Sequence, residues 1–232
     1  MRAGVASVVL ALLASTTVAA CGGSAQTDPS TTTPVKFSVT ATVAVPTTTV
    51  PTPTSTPYIG PEGVPIETGP FLATATTTPL GRIVDGIQCQ GIQQLAYALY
   101  VHLQVYVHGN SRAVPGGIGL VDPTAAATSR GLVFSPRTCY YWLHTRAADG
   151  VIDVESPQAR VFTLGDFFKV WNQPLGGDRV ATDRGKITAF VDGERWRGNP
   201  RQIPLTEHTS IELAVGRPVP PFRALDWTAT GL

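Results

Sequence analysis

Five side chains hold most of the chemistry this sequence offers: His102, His144, Arg146, Asp153 and Glu155. Two imidazoles and two carboxylates would suit a transition metal such as copper or zinc. An imidazole beside a carboxylate is also half of a hydrolytic site, with His144 as base and Glu155 orienting it. That chemistry needs a nucleophile, and Ser156 is the only serine hydroxyl close by in the chain. Arg146 argues against a metal, because a guanidinium repels a cation and engages carboxylates itself. The expectation is therefore no bound metal and no cofactor, with His102 and His144 as the residues any metal would have to use.

The elements that position these groups follow from periodicity. Leu99, Val101, Leu103, Val105 and Val107 alternate with Tyr100, His102, Gln104, Tyr106 and His108, which predicts a half-buried antiparallel strand turning at Gly109-Asn110. Residues 122–136 read as an exposed loop. Cys139–Arg146 and Val151–Glu155 are expected to form a hairpin around an Asp149-Gly150 turn. In that register Arg146 faces Asp153 and His144 faces Glu155, all four on one side of the sheet. Thr163 caps a helix with Asp166 three residues on, and Leu164, Phe167, Phe168 and Trp171 give it one apolar stripe. A second hairpin turns at Asp192-Gly193, and Ile211, Leu213 and Val215 mark a last strand. Leu103–Gly109 and Ile187–Gly193 match at most positions, a hint of internal duplication. Arg195, Trp196 and Arg197 form a small basic-aromatic strip on the return strand, while His108 and His208 stand alone beside turns. The class this predicts is α+β: a single domain, a mostly antiparallel sheet and one main covering helix. Hairpins that flank the helix in sequence make a β-grasp-like arrangement the specific expectation.

Composition divides the chain before this domain. The formal charge is +1, too small a field to steer nucleic acid. Residues 1–20 have Arg2, a short apolar run and small residues before Cys21, the pattern of a secretory signal. Val-Ala-Ala-Cys resembles the lipobox of bacterial lipoproteins, which makes Cys21 the lipidated first residue of the mature chain, held at the extracytoplasmic face of the cell membrane. Residues 21–80 then read as a disordered tether: 17 threonines and 10 prolines fall in the 59 residues from 22 to 80, with little to bury. The domain is expected over 81–217 and a Pro-rich tail over 218–232. Export leaves Cys89 and Cys139 in an oxidising compartment, and a bridge between them would contribute roughly 4 kcal/mol by closing a long loop.

The stretch from Gly86 to Gly216 resembles a family of uncharacterised secreted or lipid-anchored bacterial proteins, whose pattern runs H-x-H-L, C-x-x-W-L-H-T-H-D, G-V-I-H-x-E-S-P, F-T-L-G-x-F-F and I-P-L. The residues here that match are Cys89, His102-Leu103, Cys139, Trp142 to Thr145, Gly150 to Ile152, Glu155 to Pro157, Phe162 to Gly165, Phe167-Phe168 and Ile203 to Leu205. The resemblance implies membership but no reaction. Its departures are informative: Ala98 and Tyr100 stand where histidines would alternate, Arg146 replaces the second histidine of H-T-H, and Asp153 that of V-I-H. A face suited to metal has become one whose members can bind each other. The functional expectation is a membrane-anchored lipoprotein presenting a non-catalytic binding or structural domain to a cell-envelope protein or small ligand. Metal binding and hydrolysis by His144 and Glu155 are the alternatives.

Overall fold

The alternating run does form a strand, the longest of the main sheet. The computed structural model describes residues 58–66, 68–75 and 81–232. In chain order the strands are β1 (Cys89–Gln90), β2 (Tyr97–Val107), β3 (Asn110–Arg112), β4 (Leu120–Thr128), β5 (Gly131–Tyr141), β6 (Leu143–His144), β7 (Val151–Ser156) and β8 (Phe162–Thr163). The helix α1 (Leu164–Val170) follows, then β9 (Arg179–Val180), β10 (Asp183–Arg184), β11 (Ile187–Val191), β12 (Glu194–Trp196), β13 (Pro204–Leu205) and β14 (Thr209–Val215). Among the described residues α1 is the only α-helix, and no helix is long and apolar enough to cross a membrane.

The main sheet runs β12-β11-β14-β2-β7-β6, with β3 paired to part of β2. All its pairings are antiparallel except one: β14 lies parallel to β2, from Thr209 beside Val101 to Val215 beside Val107. This central parallel pair qualifies the antiparallel expectation. The chain reaches β14 only after a helix and a second hairpin, and such a crossover is what returns a strand in the same direction. β14 is buried along its whole length, as a strand in mid-sheet must be.

α1 covers the face made by Leu99, Val101, Leu103, Val105 and Val107. Its capping box forms as expected: the Asp166 amide donates to Thr163 Oγ1 at 3.3 Å, and the Thr163 amide donates to Asp166 Oδ2 at 3.0 Å. Leu164, Phe167, Phe168 and Trp171 are all buried, and the Trp171 ring lies 5.3 Å from Phe168 and 5.9 Å from Phe167. The helix stops at Trp171, with Asn172 in the left-handed region at φ 57°, a terminating conformation that asparagine tolerates. The Cys89–Cys139 disulfide is present with its Cα atoms 5.4 Å apart, and it ties β1 to the end of β5.

Two local expectations change. Residues 122–136 belong to β4 and β5, an antiparallel ribbon paired from Pro123–Pro136 to Thr128–Gly131. It is exposed along most of its length, so it lacks the alternation that betrays a half-buried strand. The first hairpin turns at His108-Gly109, both at positive φ, since Val107 pairs with Asn110. Asp192-Gly193 forms the matching turn of the second hairpin.

The domain is also larger than 81–217. The signal, Cys21 and the tether as far as residue 57 lie outside the described residues. Residues 58–66 and 68–75, however, pack against the fold, with Val64 and Leu72 buried and the Trp171 indole donating to the Thr74 carbonyl at 2.7 Å. The 218–232 segment is held too. Phe222 meets Phe190 at 6.2 Å, the Leu225 amide donates to Ser210 Oγ, and Trp227 stacks on His208. A few anchors in a proline-rich stretch are enough to dock it with no more regular structure than one 3-10 turn at Trp227–Ala229.

Trp171→Ala should destabilise the chain by about 3–5 kcal/mol, read from denaturant midpoints. Trp171→Phe should cost much less overall, yet speed proteolytic cutting near residues 68–75 because the tether to Thr74 is lost. Equal cutting rates in the Phe variant and the natural chain would contradict that role.

Candidate functional site

The second face of the sheet is polar and is nevertheless covered. His102 and Gln104 are nearly buried on β2, as are Asp153 and Glu155 on β7 and His144 on β6. The lid is the connection from β6 to β7, residues 145–150. Thr145 Oγ1 donates to the Pro115 carbonyl and accepts from the Ile118 amide, and the Phe134 amide donates to the Arg146 carbonyl. The connection is therefore committed to other segments, and no two-residue Asp149-Gly150 turn forms. Leu143 pairs with Val154 and His144 with Asp153, two residues out from the expected register. A shift of two preserves the face, so the four predicted residues still meet.

Arg146 joins them from the lid. Its Nη2 donates to Glu155 Oε1 at 3.2 Å, and its Nε lies 3.6 Å from Asp153 Oδ1. Gln93, delivered by the loop after the disulfide-tied β1, donates to both oxygens of Glu155 at 3.0 and 2.9 Å. His144 Nδ1 donates to the Tyr141 carbonyl at 2.9 Å, which leaves the Nε2 lone pair facing inward, 3.9 Å from Glu155 Oε2. Burial and the Arg146 charge push this imidazole down to about 3, so it is neutral at ordinary pH. His102 does not join the cluster. Its Nε2 donates to the Asp149 carbonyl at 3.1 Å, and burial lowers it to about 4.

Two acids complete the cluster. Glu62, on a segment expected to be tether, is pushed up to about 10 by burial and then by the charges of Asp153 and Asp149. Burial also raises Asp149, and it raises Asp153 to about 8 against the opposing pull of Arg146. Four carboxyl groups thus share one guanidinium, and protons supply the missing positive charge. Glu62 was hidden in the sequence by its threonine- and proline-rich surroundings, Asp149 by its resemblance to a turn residue. Gln93 has no sequence signal at all.

Among the described residues, His144, Asp153 and Glu155 are the group able to hold a metal, with ligand atoms within 4.8 Å of one another. The guanidinium already occupies the two carboxylates. The hydrolytic arrangement is not assembled, because Ser156 Oγ donates to the Gln158 carbonyl and its side chain lies on the helix-covered face, away from His144. A cavity of about 450 Å3 opens above Arg146, lined also by Glu62, Arg130 and Thr230, but His144 is 0 %, Asp153 1 % and Glu155 3 % exposed. No family model matches the chain, nor does any curated protein or solved structure.

The titrations have a consequence for stability. Glu62 and Asp153 have folded values raised from 4.5 to about 10 and from 3.8 to about 8. Their contribution is complete below the unfolded values and is lost as pH rises through the folded ones. His102 and His144, lowered from 6.5 to about 4 and about 3, contribute above 6.5 and lose it as pH falls. Between about pH 4.5 and 6.5 the two trends oppose each other; above 6.5 only the acids act. The thermal midpoint should fall steadily from pH 7 to pH 10, and Glu62→Gln should flatten that fall. A midpoint that stays level or rises over this range would show that the acids are not held protonated.

Proposed function

We propose that the chain is an extracytoplasmic lipoprotein, anchored through diacylated Cys21, whose domain is a non-catalytic binding module and a member of the bacterial family its motifs resemble. One observation carries the non-catalytic part: among the described residues, the densest set of chemistry-bearing groups is buried and its charge is balanced from within. Arg146 spans Asp153 and Glu155, and His144, Asp153 and Glu155 are themselves buried away from the surface. Such a cluster holds a lid on a sheet; it does not meet a substrate. The fold reading is β-grasp-like, supported by a hairpin-helix-hairpin order with the first and last long strands, β2 and β14, parallel at mid-sheet. The anchor rests on the sequence around Cys21 and predicts that Cys21→Ala moves the protein from the membrane fraction to the soluble one. Recovery of that variant in membranes at the natural level would sink the anchor.

Transition-metal binding is the second reading, and a specific feature favours it: the inward Nε2 of His144 has no hydrogen-bond partner, and neither has Asp153 Oδ2. Backbone acceptance by Tyr141 sets the tautomer in which a histidine ligates through Nε2. Calorimetry with zinc and copper decides between the readings. The natural chain is expected to bind neither tightly, and Arg146→Ala to gain affinity for at least one. Tight one-to-one binding by the natural chain, abolished by His144→Ala, would put the metal reading first.

A further inference from the structure

We propose that Lys186, Arg195 and Arg217 form a binding site for an acidic sugar, one carrying a carboxylate or phosphate, either free or as the repeating unit of a polymer. The proposal deepens the binding-module reading above and rests on it. A cavity of about 440 Å3 opens at this corner of the polar face, lined by the three cations with Thr188, Phe190 and Gly216. Pockets for small ligands run from roughly 300 to 1,000 Å3.

The sheet brings the cations together from three separate segments. Lys186 immediately precedes β11, Arg195 stands on β12, and Arg217 follows β14. Arg195 is the cross-strand partner of Phe190. The Gly216 amide donates to the Lys186 carbonyl at 3.0 Å, which sets the start of Arg217 beside Lys186. All three cations are exposed, and none makes an ion pair or side-chain hydrogen bond among the described residues. Arg146, by contrast, is paired with two carboxylates. No acidic side chain lines this cavity. Glu194 alternates to the opposite face from Arg195, and Glu212, across from Phe190, is 1 % exposed and does not line the cavity.

Like charges gathered in one groove raise the local concentration of anions. The remaining lining narrows the class. The Phe190 ring, backed by Phe222, offers an apolar wall, and Thr188 offers a hydroxyl that both donates and accepts. A ring wall, a hydroxyl and cations match the apolar face, the hydroxyl groups and the acidic substituent of a sugar. With a chain charge of only +1, a generic polyanion field is absent, and the recognition is local.

The test titrates the full chain with inorganic phosphate, glucuronate and polygalacturonate, with dextran as the uncharged control. At about 50 mM salt polygalacturonate is expected to bind and to weaken markedly at about 200 mM, while dextran does not bind. Each single change among Lys186→Ala, Arg195→Ala and Arg217→Ala should weaken binding about threefold, as removal of one exposed ionic contact does. The triple variant should lose at least about tenfold with an unchanged thermal midpoint, since all three side chains are exposed. Glucuronate or phosphate binding as tightly as the polymer, per acidic group, identifies a free small acid as the source; much tighter polymer binding identifies the polymer. Absence of binding by all three charged probes overturns the site. Polymer binding that survives in the triple variant overturns it too, but leaves the binding-module reading standing.

Discussion

The contact on which the rest of this molecule depends is the one guanidinium placed between two buried carboxylates. Arg146 reaches from the β6–β7 connection to Asp153 and Glu155, and through them it fixes the lid on the sheet's polar face. Two unscreened carboxylates at this depth would be untenable, and removal of one partner of a buried charged pair typically costs about 3–5 kcal/mol. Gln93 adds two hydrogen bonds to Glu155 from the other side, so the disulfide that positions β1 also steadies the charge cluster. Glu62, kept neutral by burial, lets one further segment approach without adding negative charge.

That cluster explains how a sheet with one apolar and one polar face comes to be covered on both. On the apolar side the aromatic stripe of α1 removes surface from water, a non-directional gain. On the polar side every group needs a partner, and the partners come from distant parts of the chain: the lid, the segment around Glu62 and the C-terminal stretch from Phe222 to Trp227. The first side tolerates substitution by volume. The second is specified atom by atom and loses more when one atom is removed.

Much of this was legible in the sequence, for identifiable reasons. The capping box, the stripe of α1, the alternation of β2 and the disulfide all rest on local spacing or on cysteine count. The meeting of His144, Arg146, Asp153 and Glu155 survived an error in the hairpin register because side-chain faces repeat every two residues. What could not be read was set by distant contacts. Asp149-Gly150 looks like a tight turn, but Thr145 and Arg146 are committed to Pro115, Ile118 and Phe134. Glu62 could not be told from a solvated tether residue, and the exposed β4–β5 ribbon buries neither face enough to show a pattern.

The parallel pairing of β2 and β14 has a further consequence for how the chain comes together. β2 and β7 can pair as soon as residue 156 is free, but the other long edge of β2 waits for a strand that begins at Thr209. Until then the longest strand of the sheet presents unpaired backbone along that edge, the kind of template on which chains join one another. The second hairpin cannot cover it, because β11 touches β14 and not β2. A chain emerging from its N-terminus is thus exposed for the whole interval between these two strands, and truncation before β14 leaves it permanently so.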